Sequence, residues 1–242
     1  MHTQDATILT IVQINEDKAK TSPINPTEFC SFIGSLLYLV AGTGPDLAFA
    51  VNNLACHSTH PVNNHWLALN HLMVYLLRTK NRYLSINPQY LNVDLWTDAS
   101  WGGTLERSHS SCMIKLANSP IFWNSKKQTV VALSTCAAKY IAFSNATQHF
   151  FQKINHMKYF ANYFEKKILC DNEVAIGISK DALLRKCTRY LNRAFLFVNV
   201  TKRQFNIKFK WVSPSLQQAN VLTKGLSGPS TKISQEHLCL RE

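Results

Sequence analysis

Apolar positions along this chain change their period once, and that change divides it. From Thr27 onward, Phe29, Phe32, Ile33, Leu36, Leu37 and Val40 recur three or four residues apart, the spacing of one helical face, with Thr27 placed to cap it. Gly42 to Pro45 interrupts the pattern. A second helical stretch runs from Asp46 to Ala55, and a third, capped by Asn64, carries Trp66, Leu69, Met73, Leu76 and Leu77 on one face. Further on the period shortens. Val93 to Asp98, Ser111 to Leu116 and Pro120 to Trp123 read as three strands bounded by Gly, Ser, Asn or Pro, which predicts an antiparallel meander. Thr135 to Phe151 is long enough for a helix, Lys167 to Asp171 for a short strand, and Ile207 to Trp211 alternates as a half-buried strand does. The order is strands, helix, strand, helix, strand, helix. It predicts an α/β domain with a mixed sheet and flanking helices, preceded by a small helical subdomain. The expected divisions are a polar leader over 1–26, a helical region over 27–88, the α/β domain over 89–226 and a tail over 227–242.

Composition narrows the class. The 242 residues are 46% hydrophobic and 11% aromatic, enough for a packed core. Lys and Arg number 26 against 14 Asp and Glu, a net charge of +12, and such a field favours a polyanionic partner. A merely solvated basic surface has the same composition, so charge alone leaves both readings open. The seven cysteines show no Cys-x-x-Cys pair and no zinc-ligand spacing, and are expected to be reduced and mostly buried. The chain opens without a basic segment followed by an apolar one, and the run Phe32 to Ala41 is about half a membrane span. No membrane association is expected, and the expected location is intracellular, in cytoplasm, nucleus or both.

Candidate chemistry centres on Asp98 and Asp171, each closing a strand-like run. By themselves they read as strand-end acids satisfied by turn amides. Their surroundings change that reading. Phe32-Ile33-Gly34-Ser35-Leu36-Leu37-Tyr38-Leu39, Gly44-Pro45-Asp46-Leu47-Ala48-Phe49-Ala50-Val51, His65-Trp66 and Tyr75-Leu76 resemble the helical region after the reverse transcriptase palm in copia-type retrotransposon Pol polyproteins. Thr97-Asp98-Ala99-Ser100-Trp101-Gly102-Gly103, Trp123-Asn124-Ser125-Lys126-Lys127-Gln128, Ala132-Leu133-Ser134, Tyr140-Ile141-Ala142 and Cys170-Asp171-Asn172 resemble the ribonuclease H domain of the same polyproteins. The order of these segments matches as well as their content, over nearly the whole chain after residue 26.

The resemblance implies a ribonuclease H-like mixed sheet that cleaves the RNA strand of an RNA–DNA hybrid, with four carboxylates holding two Mg²⁺ (or Mn²⁺) ions. Asp98 and Asp171 take the first and third carboxylate positions and are the candidate catalytic and metal-ligating residues. The second position falls on Lys139 and the fourth on Asn220. Further departures are Ala137 for a second helix glutamate, Gly44 for an arginine, Cys112 for a strand glycine, and Tyr190-Leu191-Asn192-Arg193-Ala194 for a His-Ile-Asp-Ile-Arg run. At a separation of roughly 4 Å and an effective dielectric of about 20, a unit charge pair contributes on the order of 4 kcal/mol, so Lys for Glu reverses a large term in metal binding. Glu173 and Asp94 are the acids nearest in sequence to compensate. The expectation is a nuclease-like fold with impaired chemistry, binding metal only if active, and keeping salt-sensitive affinity for nucleic acid, an RNA–DNA hybrid or another polyanion. An active hybrid nuclease is the competing reading. No Tyr-x-Asp-Asp element occurs, so this chain alone is not expected to copy nucleic acid. Trp101, Trp123 and Tyr140 read as core aromatics in preference to base-stacking platforms. Lys115, Lys126-Lys127, Lys202-Arg203 and Lys208/Lys210 read equally as phosphate contacts or solvated charges. The sequence leaves the oligomeric state open.

Overall fold

The computed structural model describes residues 25–87, 92–103, 106–157, 159, 163–173, 176–177, 192–225 and 228–241. The expected leader, except Asn25 and Pro26, lies outside the described residues, as do Cys187, Tyr190 and Leu191. Packing divides the chain into two units, Met1–Ser85 with Lys224–Glu242, and Ile86–Thr223.

In the first unit, α1 spans Pro26–Gly42, α2 Ala48–Ala55 and α3 Asn63–Arg78. The start of α1 differs from expectation: Asn25, not Thr27, is the cap, its side chain accepting from Thr27 N–H, and Pro26 occupies the first turn. Proline is at home there because its missing N–H has no helical partner anyway. Asn64 is likewise inside α3; the helix is closed at its start by His65 Nδ1, which accepts from Val62 N–H at 3.0 Å. Phe29, Ile33, Leu36 and Val40 of α1 are buried, at the spacing the sequence shows. Asp46 is buried as well. It accepts from Tyr75 Oη at 2.7 Å, and Gln235 Nε2 donates to the same Oη at 3.0 Å. Burial pushes the Asp46 carboxyl above the usual carboxylate range, against the opposing influence of the Tyr75 hydrogen bond and the Arg82 charge. The stretch expected as a tail forms a helix over Gly228–His237 and a strand over Leu240–Arg241 that pairs antiparallel with Tyr83–Leu84. Partners about 160 residues away along the chain are invisible to local periodicity.

The second unit holds a five-stranded sheet. Numbering Tyr83–Leu84 as β1, its strands are β2 (Asn92–Ser100), β3 (His109–Leu116), β4 (Ser119–Lys127), β5 (Glu165–Cys170) and β6 (Lys208–Trp211), in the spatial order β4-β3-β2-β5-β6. The pairs β2–β3 and β3–β4 are antiparallel, β2–β5 and β5–β6 parallel. This is a ribonuclease H-like sheet: the expected meander, extended on its other side by two crossover strands. Ala117 and Asn118 both have positive φ, at 48° and 67°, and form the two-residue turn between β3 and β4. Such a turn matches the twist of the strands it joins. Pro120 lies where the register shifts on edge strand β4, a place where no ladder N–H is needed.

The core follows the two periods. Val93 and Leu95 of β2, Cys112 and Ile114 of β3, and Ile168 and Cys170 of β5 share one sheet face. Across it lies α4 (Thr135–His156), contributing Tyr140, Phe143, Phe150 and Ile154 at helical spacing. A further helix, α5 (Asn192–Phe205), adds Val198 to this core. Of the expected core aromatics, Tyr140 is fully buried and Trp123 partly so; Trp101 is 40% exposed, although its Nε1 donates to Ala132 O at 3.0 Å. Lys115 is buried, not solvated. Cys112 and Cys170 are buried, and burial pushes both thiols up to about 12, whereas Cys30 and Cys56 are exposed. Among the described residues no helix is long and apolar enough to cross a membrane.

Candidate functional site

Four elements of the second unit converge on Asp98. It lies near the end of central strand β2, opposite Ser111 of β3. Asp171 follows directly on β5, the parallel neighbour of β2, so the two carboxylates come together at the same end of adjacent strands. Ser134 caps α4, accepting from Ala137 N–H at 3.1 Å, and places Lys139 one turn into the helix. The fourth element is the 217–223 segment. Gln217 Nε2 donates to Thr97 O at 3.0 Å, Ser111 Oγ to Ala219 O at 3.0 Å and Ser125 Oγ to Leu222 O at 2.7 Å, which fastens the segment to the sheet. Close approach to the 106–107 backbone also demands a glycine after the Asp98 strand: a Cβ on Gly102 would lie 2.7 Å from Glu106 O.

Lys139 occupies the centre of this arrangement. Its Nζ is 2.5 Å from Asp171 Oδ2 and 3.3 Å from Asp98 Oδ1. Both carboxylates are 6% exposed and the lysine side chain 19%. Thr223 Oγ1 donates to the other oxygen, Asp98 Oδ2, at 2.8 Å, and Trp211 Nε1 donates to the Asp171 carbonyl at 3.2 Å. Asp98, Asp171 and Lys139, selected from sequence, are thus in contact. Asn220 is placed differently: its amide Nδ2 donates to Pro214 O at 3.0 Å, and its backbone carbonyl accepts from Thr223 N–H at 3.1 Å. Thr223 is a site residue that the sequence reading does not single out; it stands three residues beyond Asn220. The compensating acids are elsewhere. Asp94 Oδ2 accepts from Asn92 Nδ2 at 2.6 Å, four residues back along β2, and Glu173 is exposed.

The electrostatics follow from this geometry. Burial works to lower the Lys139 pKa, but the hydrogen bond to Asp171 and the charges of Asp98 and Asp171 outweigh it, so the ammonium is held above its ordinary value. Because the folded pKa exceeds the unfolded one, the stabilisation is fully present below about pH 10.5 and is lost as pH rises through the folded value. The stability difference between the natural protein and Lys139→Met, followed by urea denaturation, is therefore expected to stay constant from neutral pH to about pH 10 and to shrink above it. A constant difference at higher pH would mean that the ammonium charge is not what Lys139 contributes.

Mg²⁺ needs a near-octahedral shell of oxygen ligands and is held through clustered carboxylates. Here an ammonium stands between the two carboxylates, and the neutral amide of Asn220 is engaged with backbone. Among the described residues no three His, Cys, Asp or Glu side chains are grouped to hold a metal ion. The residues present do not fit a two-metal centre.

Several of the basic side chains have partners within the unit. Lys208 and Lys167 pair with Glu165 at 2.9 and 2.7 Å, and the hydrogen bonds they donate, aided by their charge, hold the Glu165 carboxyl down at about 2. Lys202 and Lys153 lie 4.9 Å from the ring centres of Phe209 and Phe122.

No family model matches the chain. Among curated proteins it is 28% identical over 208 residues to the retrovirus-related Pol polyprotein from transposon RE2 of Arabidopsis thaliana, covering 84% of this chain and 14% of that protein. It is 28% identical over 205 residues to the corresponding polyprotein from transposon TNT 1-94 of Nicotiana tabacum, 81% of this chain and 15% of that protein. The chain thus spans about a seventh of these relatives. Secreted RxLR effector protein 161 of Plasmopara viticola is 37% identical over 123 residues, half of this chain and 87% of the effector. Among solved structures, LC11-RNase H1 isolated from compost aligns with 55% of this chain and 93% of its own at 14% identity, with a TM-score of 0.46. By sequence the chain is similar to a short stretch of copia-type retrotransposon Pol polyproteins, and the topology of its sheet is that of a ribonuclease H-like fold.

Proposed function

We propose that the ribonuclease H-like unit of this chain is a nucleic-acid-binding remnant of a Pol polyprotein in which an internal cation, the Lys139 ammonium, replaces the metal ions of a hybrid nuclease. The observation that carries this reading is the placement of Lys139 Nζ against both Asp98 and Asp171. A tethered ammonium neutralises the two carboxylates as a bound cation would, yet it activates no water and stabilises no leaving oxygen. It also repels an arriving divalent ion. Cleavage of the RNA strand of a hybrid is therefore expected to be absent, while the basic balance of the chain favours polyanion binding that weakens as salt rises.

The test is cleavage of a labelled RNA–DNA hybrid, in Mg²⁺ and then in Mn²⁺, by the natural protein and by the Lys139→Glu/Asn220→Asp double variant. No cleavage by the natural protein, with activity appearing in the double variant and disappearing again when Asp98→Asn is added, is the expected pattern. Cleavage by the natural protein that is abolished by Asp98→Asn would overturn the proposal and establish a working nuclease.

A further inference from the structure

On the α4 face of the sheet, between that helix and edge strand β4, lies a groove of about 320 Å³ whose lining includes none of Asp98, Lys139 and Asp171 and adjoins them through Ser111. Its existence follows from side-chain size. Ala142 and Ala146 of α4 face the sheet where bulkier residues would fill the gap, and with Cys112 of β3 they are buried, giving an apolar floor. Lys126 on β4 and Asn145 on α4 also line the groove and are exposed, which places them toward its mouth. One wall is set in place by a hydrogen bond between Asn124 Nδ2 and His149 Nε2 at 3.1 Å. Burial, reinforced by the charges of Lys153 and Lys126, lowers the His149 pKa, so the ring stays neutral at physiological pH and suits a hydrogen-bonded wall. Lys127 is a second basic lining residue, and among the described residues no acidic side chain lines the groove.

We infer that this groove binds a single nucleotide unit, an unpaired base with its phosphate. The volume is at the low end of small-molecule pockets and far too small for a duplex. The apolar character of the floor suits the face of a heterocycle better than it suits a charged group. Carboxamides such as Asn124 and Asn145 carry a donor and an acceptor side by side, the pattern that matches a base edge. Lys126 and Lys127 supply the charge for a phosphate, and the absence of carboxylates leaves that charge unopposed. The inference shares with the proposed function only the expectation of a nucleic-acid partner, and does not depend on the Lys139 cluster being inactive.

The experiment uses the full chain and fluorescence anisotropy with two labelled single-stranded DNA oligomers of equal length, one of adenines and one of abasic sites, so that charge is equal and only the bases differ. Tighter binding of the adenine oligomer by about fivefold or more is expected. Asn145→Ala should remove that preference and leave abasic binding unchanged, whereas Lys126→Ala should weaken both. Both positions are exposed, so folding should be unaffected, as circular dichroism would verify. Adenosine monophosphate separates the two sources of this chemistry: displacement of the adenine oligomer indicates a free-nucleotide site, and base-dependent binding without displacement indicates a strand reader. Equal binding of both oligomers, indifferent to Asn145→Ala, would overturn the groove while leaving charge-driven binding intact. Binding of neither at low salt would overturn the groove and the proposed nucleic-acid binding together.

Discussion

Lys139→Met is expected to destabilise the ribonuclease H-like unit by about 3 kcal/mol, a shift of roughly 10 °C in its unfolding midpoint. The lysine is the ion-pair partner of two carboxylates that are each 6% exposed, and methionine leaves them side by side without a counter-charge. Breaking a buried ion pair costs about 3–5 kcal/mol, and the 19% exposure of Lys139 argues for the lower end. Part of the loss comes from carboxylate repulsion, so adding Asp171→Asn to Lys139→Met should recover stability in a double-mutant cycle. Millimolar Mg²⁺ offers a second way to relieve the repulsion. It should raise the midpoint of Lys139→Met and leave that of the natural protein unmoved, because in the natural protein the ammonium already stands between the carboxylates. An unchanged midpoint in Lys139→Met, or an equal response of both proteins to Mg²⁺, would exclude the tethered-cation reading.

Phe143→Ala should cost as much or more, about 3–5 kcal/mol. Phe143 is completely buried on the sheet-facing side of α4, packed near-parallel to Tyr140 at 6.4 Å between ring centres and edge-on to Phe209 of β6 at 5.2 Å. It therefore links the helix that carries Lys139 to the far edge of the sheet. Truncation removes the buried ring area and leaves a cavity that the close-packed strands cannot fill. Since domains of this kind are stable by only about 5–15 kcal/mol, a large share of the margin would go. Denaturant titration with near-ultraviolet circular dichroism is the measurement, with Phe143→Leu expected to cost clearly less. A loss below about 1 kcal/mol for Phe143→Ala would show that the α4–sheet packing is not as described.

The sequence made the local features legible. Apolar runs bounded by turn residues marked β2 and β3, alternation marked β6, and three-to-four spacing marked α1 and its buried face. In α3 the helix was legible but its face was not: of Trp66, Leu69, Met73, Leu76 and Leu77 only Leu69 is buried, and the buried side is His65, Ala68, Leu69, Leu72 and Tyr75. Element ends were less accurate. The helix expected over Thr135–Phe151 continues to His156, where no Gly or Pro stops it, and α1 starts at Pro26 under an Asn25 cap, ahead of the expected cap at Thr27, because proline fits a helix's first turn. The motif residue Asp46 carried no local sign of its role. Its burial against Tyr75 shows a structural acid, and that pairing needs two helices to meet.

The candidate site divides along the same line. The resemblance assigned Asp98, Asp171 and Lys139 to one site, and the structure brings the three side chains together. Only the tertiary structure decided what the substitution does. Lys139 and Asp171 are 32 residues apart and Thr223 and Asp98 are 125 apart, and these contacts depend on the parallel register of β2 with β5 and on the segment fastened beyond β6. A lysine in place of a carboxylate could have turned to solvent. Here the electrostatic cost of two nearly buried carboxylates draws the ammonium inward, while the Asn220 amide, carrying no charge, is engaged by a backbone carbonyl.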